Sequence, residues 1–241
     1  MLSNLAGPTL TTLTAPAANA QPRAILFDLD GTLADTAPDL AAAVNHLREE
    51  RGLAPTPYEQ LRPFASAGAR GLIGAAFGVF PEEPAYEALR AAFLANYAAA
   101  IAVRSRLFKT VPQLLEQLTQ RGIAWGIVTN KASRFTDVLV PLIGLGRAGC
   151  IVSGDTTAHA KPHPAPLLEA ARRLALPAQT CWYVGDDLRD IAAGRAAGMR
   201  TVAAAWGYCG QTEPHAWQAD AVLDTPLALL AELERFTRLL R

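Results

Sequence analysis

From Val111 onward the 241-residue sequence alternates between short apolar runs and segments of helical spacing, and this rhythm constrains the fold most tightly. Val111 to Arg121 reads as a helix closed by Gly122, Ile123 to Thr129 as a short strand, Ser133 to Leu142 as a helix and Cys150 to Ser153 as a brief strand. Pro164 to Leu176, Leu188 to Ala197 and Pro226 to Leu240 read as further helices. Strands over Thr180 to Gly185, Arg200 to Ala205 and Ala221 to Leu223 separate them. Near the start, the apolar run Ala24-Ile25-Leu26-Phe27 reads as one more buried strand. Strands that take turns with helices predict an α/β fold, a doubly wound parallel sheet with helices on both faces. In such a sheet ligands bind beyond the carboxyl ends of the strands.

Polar groups collect at those ends. The first strand gives way to Asp28 and Asp30, two residues apart and so on the same side of an extended chain, with Gly31 allowing a sharp turn behind them. Two like charges about 4 Å apart repel by about 4 kcal/mol at an effective dielectric of about 20, so a cation, a proton or solvent must offset them. The Ile123 strand ends in Thr129 and Asn130, and the Thr180 strand in Asp186 and Asp187, with Asp190 one helical turn later. The loop after the Cys150 strand carries Lys161 and Pro162. All of these converge on one crevice. Oxygen ligands with room for water suit Mg²⁺, a hard ion that shares carboxylates with a phosphate. A lysine and a hydroxyl can hold the remaining phosphate oxygens, since phosphoryl transfer is mostly positioning and charge stabilisation. An aspartate can act as nucleophile, and a second carboxylate as acid and then base.

Residues 35–104 differ from the rest: Leu40, Val44 and Leu47 share a helical face after Asp35 or Thr36 as a cap, and Tyr58 to Leu61, Leu72 to Phe77 and Ala85 to Val103 continue in helical style. This region reads as a helical insert. Residues 1–21 are rich in Thr, Ala and Pro without Lys or Arg and read as a disordered tail; the cleavage-like Ala18-Asn19-Ala20 lacks a basic start and an apolar run before it. Zero formal net charge argues against a nucleic-acid partner or an anionic membrane surface, and the absence of a long apolar run argues against a membrane span. Cys150, Cys181 and Cys209, odd in number and widely spaced, suit reduced thiols in a cytoplasmic protein. His159 and His163 stand four apart, but Pro162 and Pro164 argue against a helical zinc pair.

Asp28-Leu29-Asp30-Gly31-Thr32, Thr129-Asn130, Lys161-Pro162 and Gly185-Asp186-Asp187 resemble, in order and spacing, the four signature motifs of the haloacid dehalogenase (HAD) superfamily of phosphatases. The resemblance covers the chain after residue 22 and implies a Rossmann-like core, residues 22–34 and 105–241, with residues 35–104 as an inserted helical cap. It implies Asp28 as nucleophile and metal ligand, and Asp30 as general acid and base that binds metal through its backbone carbonyl. Thr129, Asn130 and Lys161 would serve the phosphate, Asp186 would be the acidic metal ligand, Asp187 would lie in the outer shell and Asp190 would orient neighbours. Within the superfamily, Asp28 to Asp39 and Ser66 to Gly71 resemble the phosphoglycolate phosphatase group. Trp125 to Lys131, Asp186 to Ile191 and Trp206-Gly207-Tyr208 resemble N-acetylmuramic acid 6-phosphate phosphatases.

The expectation is therefore a Mg²⁺-dependent phosphomonoesterase, monomer or homodimer, acting on a small acidic phosphate ester. Arg70, in a Gly-flanked loop of the insert, is a candidate for the substrate carboxylate. A dehalogenase on the same fold has no use for an acid at Asp30. A sugar phosphomutase shares the chemistry up to the aspartyl phosphate. A phospho-accepting receiver would use a similar acid cluster but has no use for the insert.

Overall fold

The computed structural model describes residues 21–239. The tail expected over residues 1–21 lies, apart from Gln21, outside the described residues. In chain order the strands are β1 (Ala24–Phe27), β2 (Ala34–Asp35), β3 (Arg106–Leu107), β4 (Ala124–Val128), β5 (Ile151–Val152), β6 (Cys181–Gly185), β7 (Arg200–Ala204) and β8 (Ala221–Leu223). The helices are α1 (Ala37–Glu49), α2 (Tyr58–Leu61), α3 (Gly68–Phe77), α4 (Tyr86–Ala99), α5 (Val111–Gln120), α6 (Ser133–Leu142), α7 (Ala165–Arg173), α8 (Leu188–Ala196) and α9 (Ala228–Leu239).

Six strands form one parallel sheet in the order β5-β4-β1-β6-β7-β8. The central strand β1 is fully buried, which explains its unbroken apolar run. Its side chains alternate between two cores. Ile25 and Phe27 pack with Leu114 and Leu118 of α5 and Leu229 and Leu233 of α9 on one face. Ala24 and Leu26 pack with Leu167 and Ala170 of α7 and Ala193 of α8 on the other. Because β4 and β6 flank β1, the loops that follow these three strands open side by side at one rim.

Between β1 and α5 the chain makes a helical excursion through α1 to α4. It leaves and returns through a two-stranded antiparallel ribbon that pairs Ala34 with Leu107 and Asp35 with Arg106. The buried Asp39 carboxylate closes this neck, accepting from the Arg104 and Ser105 N–H groups at 2.9 and 2.8 Å. The insert packs on the core through one continuous apolar cluster, in which Phe93 and Tyr97 of α4 meet Phe135 of α6.

Several boundaries differ from the sequence reading. Residues Arg62–Ala67 form a 3₁₀ turn and α3 begins at Gly68, four residues before the expected start. α4 ends at Ala99 instead of Val103 because Ala100 leaves the helical region as the chain bends back toward Asp39. Neither Asp35 nor Thr36 caps α1 with its side chain. Tyr208, 172 residues away from Thr36, accepts from the Thr36 and Ala37 N–H groups at 2.7 and 2.9 Å and donates to Asp35 at 3.0 Å. The Thr36 hydroxyl is instead committed to Asp30.

Candidate active site

Asp186 follows β6 directly and is fully buried. Its oxygens accept from the Thr32 hydroxyl at 2.9 Å, the Tyr208 N–H at 2.9 Å and the Ser66 hydroxyl at 3.1 Å. Two glycines make the fit possible. A Cβ on Gly31, whose φ is +88°, would fall 2.1 Å from an Asp186 oxygen, and one on Gly207 would fall 2.3 Å from the Asp186 Cβ. The backbone must pass this close for Asp186 to reach the rim beside Asp28.

Lys161 comes in from the loop after β5 and is 5% exposed. Its ammonium lies 2.9 Å from Asp28 Oδ1, 2.7 Å from Asp190 Oδ1 and 3.0 Å from the Val128 carbonyl, with the Tyr183 hydroxyl at 2.8 Å. Burial disfavours the ammonium, yet Asp190 and Asp28 outweigh it and hold its pKa above the usual lysine value. Both Asp190 oxygens are spent: one on Lys161 and Tyr183, the other on the Asp187 N–H at 3.1 Å. Asp190 thus acts as the fixed counter-ion of Lys161 and as half of a capping box with Asp187 at the start of α8.

The other acids of the rim are not so well matched. Carboxylate oxygens of Asp28, Asp186 and Asp190 lie within 4.8 Å of one another. Burial, together with repulsion from Asp190, pushes Asp28 up to about 6 in spite of Lys161. Burial and repulsion from Asp28 and Asp190 push Asp186 up to about 8. Fully ionised, three carboxylates around one ammonium would leave two negative charges unbalanced, a deficit that the raised acids meet with protons and that a divalent cation would also meet.

Asp30 lines the same cavity as Asp28, but its carboxylate accepts from the Thr36 hydroxyl and pairs with Lys131 at 3.0 Å. Lys131 was not singled out as a site residue from the sequence. Its ammonium is buried between Asp30 and the ring of Tyr97, 4.7 Å from the ring centroid. Burial opposes its charge, but Asp30 and Tyr97 prevail and raise its pKa. The available signal was position, since Lys131 directly follows Thr129-Asn130 on the same loop.

Asn130 has a structural task as well. Its side-chain oxygen accepts from the Lys161 N–H and its amide donates to the Lys161 carbonyl, both at 2.9 Å. The side chain clamps the lysine loop and keeps its second amide N–H uncommitted among the described residues. Thr129 is buried, and its hydroxyl accepts from the Lys131 N–H at 3.2 Å. Asp187 pairs with Arg189 at 2.8 Å; burial raises its pKa, but the Arg189 bonds outweigh it and the net shift is downward. Arg189 also donates to the Ser66 carbonyl of the insert at 2.8 Å. Arg70 is exposed on α3 and is not among the residues lining the cavity. That cavity, about 250 Å³, lies between the rim and the insert, with Ser66, Phe93 and Tyr97 facing Asp28, Asp30 and Lys161.

The family model of the haloacid dehalogenase-like hydrolases matches residues 25–204, which span the acids, Lys131, Lys161 and the insert. The chain belongs to this family. A phosphoglycolate phosphatase of Xanthomonas campestris pv. campestris is 48% identical over 207 residues, 85% of this chain and 93% of the relative. An N-acetylmuramic acid 6-phosphate phosphatase of Pseudomonas putida is 42% identical over 209 residues, 86% of this chain and 94% of the relative. Among solved structures, a predicted phosphoglycolate phosphatase from Haemophilus somnus is similar with a TM-score of 0.79 at 26% identity, covering 88% of this chain and 98% of that one. Seen as a HAD-like hydrolase, the chain has the family's sheet, and its rim holds a cluster of buried acids of the kind that binds a divalent metal. No helix among the described residues is long and apolar enough to cross a membrane.

Proposed function

We propose that this HAD-like hydrolase is a Mg²⁺-dependent phosphomonoesterase that works through an aspartyl phosphate on a small acidic ester, 2-phosphoglycolate or N-acetylmuramic acid 6-phosphate. The observation that carries the reading is the buried trio Asp28, Asp186 and Asp190 around Lys161, which when fully ionised is two positive charges short of balance. Asp28, Asp186 and the backbone carbonyl of Asp30 would hold the ion. Asp190, with both oxygens committed, would stay outside its ligand set. When bound, Mg²⁺ would neutralise charge on the phosphate oxygens and keep Asp28 ionised at neutral pH.

The chain's own groups account for the steps. Asp28 attacks phosphorus, forming an Asp–O–P bond as the ester oxygen leaves, and Asp30 donates its proton to the departing alcohol. Lys161, fixed from several sides, holds an equatorial oxygen, and the Thr129 hydroxyl another. Water then attacks phosphorus, Asp30 takes its proton, and the Asp–O–P bond breaks to release phosphate and free Asp28. For Asp30 to reach the ester oxygen, its carboxylate must turn from Thr36, and its bond to Lys131 gives it a second anchor during that turn. An acid at position 30 favours this reaction over dehalogenation, which has no alcohol to protonate. The three free cysteines suit a reducing cytoplasm.

Phosphate release from the two candidate esters, with and without EDTA, tests the reading. Asp28→Asn should lower kcat by at least about 10³-fold with the circular dichroism spectrum unchanged. Retention of turnover within about tenfold of wild type would remove Asp28 from the nucleophile role.

A further inference from the structure

The catalytic cavity does not end above the acids. Arg90, Leu94, Arg134 and Phe135 line both it and an adjoining groove of about 540 Å³ between α4 of the insert and α6 of the core. On α4, Arg90, Phe93 or Leu94, and Tyr97 follow helical spacing and so share the face turned to this space. Tyr97 stands at the chemical end: Lys131 joins it to Asp30. Arg90, seven residues back, lies about 10 Å further along the helix.

These groups are not equally used inside the protein. Tyr97 is 1% exposed, and the Lys131 ammonium, between it and Asp30, is its polar neighbour. Arg134 lies over the Phe135 ring at 4.6 Å and meets no carboxylate among the described residues. Arg90 has only the exposed Glu87 at 3.3 Å, a pair of little worth in water. No acidic residue lines the outer groove. Arg189, the other guanidinium on the cavity wall, is already held by Asp187 and the Ser66 carbonyl.

We propose that Arg90 and Arg134 form a receptor for a carboxylate at the far end of a ring-sized phosphate ester, with Leu94 and Phe135 lining the space its ring would cross. The inference rests on the phosphatase reading and narrows its substrate to a phosphorylated sugar acid. In N-acetylmuramic acid 6-phosphate the carboxylate hangs from the 3-oxygen and the phosphate from carbon 6, two separate arms of one ring, which suits the separation between the Tyr97 and Arg90 ends of α4. In 2-phosphoglycolate the carboxylate is attached next to the ester carbon and stops short of the arginines. Arginine suits the task because its planar fork meets a carboxylate through two parallel bonds.

The test compares kcat/KM on N-acetylmuramic acid 6-phosphate, N-acetylglucosamine 6-phosphate, 2-phosphoglycolate and p-nitrophenyl phosphate. The first two share ring and phosphate and differ by the acid arm. Wild type should favour the muramic ester over the glucosamine ester. Arg134→Gln and Arg90→Gln should each cut that preference by about tenfold or more, through KM more than kcat, and Arg134→Lys should restore part of it. Both arginines are exposed, so the variants should keep the fold. Equal turnover of the two sugar esters by wild type, a preference for 2-phosphoglycolate, or a uniform loss on every ester in the variants would overturn the receptor while leaving the phosphatase standing. Silence of wild type on all four esters, p-nitrophenyl phosphate included, would bring down the phosphatase reading and the receptor with it.

Discussion

The two walls of the catalytic cavity are built on different terms. On the sheet side the groups around the acids are held by many bonds: Lys161 by two carboxylates, a carbonyl and a tyrosine, Asp186 by three donors, and Asn130 by both backbone groups of Lys161. On the insert side, among the described residues, Tyr97 meets the Lys131 ammonium and Arg90 pairs with the exposed Glu87. The walls are tied by few polar bonds, chiefly Ser66 to Asp186 and Arg189 to the Ser66 carbonyl. A reaction that is mostly positioning needs a rigid first wall, since donors that must reorganise lose their advantage. A wall that reads the rest of the substrate can leave its groups free until the substrate arrives, as the price of specificity falls on binding.

The difference is broken most severely at Lys161. Lys161→Met would leave Asp28 and Asp190 buried without their cation, a loss of about 3–5 kcal/mol in stability. It should also lower kcat by about 10²–10³-fold through loss of the donor to the phosphate. Thermal unfolding and steady-state rates measure both. A stable but inactive variant would mean that the acids rearrange freely and the rim is less rigid than its bonds imply.

The next effect belongs to the metal. Without it, Asp186 is raised to about 8 and Asp28 to about 6, both above the carboxylate value near 4 of an unfolded chain. Between these values the folded protein holds protons that the unfolded chain has released, so stability falls as pH rises from about 4 through 6 to 8. EDTA-treated protein should therefore melt several degrees lower at about pH 8.5 than at about pH 5.5, and Mg²⁺ should restore more at the higher pH. Identical melting at both pH values, with no response to Mg²⁺, would show that the rim balances its own charge.

The same contrast explains what could be read in the sequence. The rim was legible because its residues fall at strand ends, where short apolar runs such as Ile123 to Val128 announce the position and spacing fixes the side. The parallel sheet followed from the same alternation. The roles that escaped are those set by tertiary contacts. Asn130 belongs to a motif, but its clamp on Lys161, 31 residues later, is written in no local pattern. Arg70 is in a suggestive glycine-flanked stretch, but the facing of α3, set by packing of Leu72, Ile73 and Ala76, leaves it in solvent. Arg90 and Arg134 carry no local signal at all, because the groove they share exists only once α4 lies against α6. The cap of α1 was expected from its own neighbours and comes instead from Tyr208, a contact no local rule contains.

Tyr208 is also where the two walls are joined at the hinge. Its N–H holds Asp186 on the rim, and its hydroxyl accepts from Thr36 and Ala37 at the start of the insert's first helix. Tyr208→Phe keeps the first contact and removes the second, leaving two N–H groups uncapped and Asp35 without its donor. Loss of a helix cap costs about 1 kcal/mol, so a small fall in melting temperature is expected. Asp186 stays in place, so kcat on p-nitrophenyl phosphate, an ester too small to need the insert, should change less than kcat/KM on a ring-sized ester. Should both esters lose the same factor through kcat, the hydroxyl would belong to the rigid rim, and the two walls would be one unit from the hinge inward.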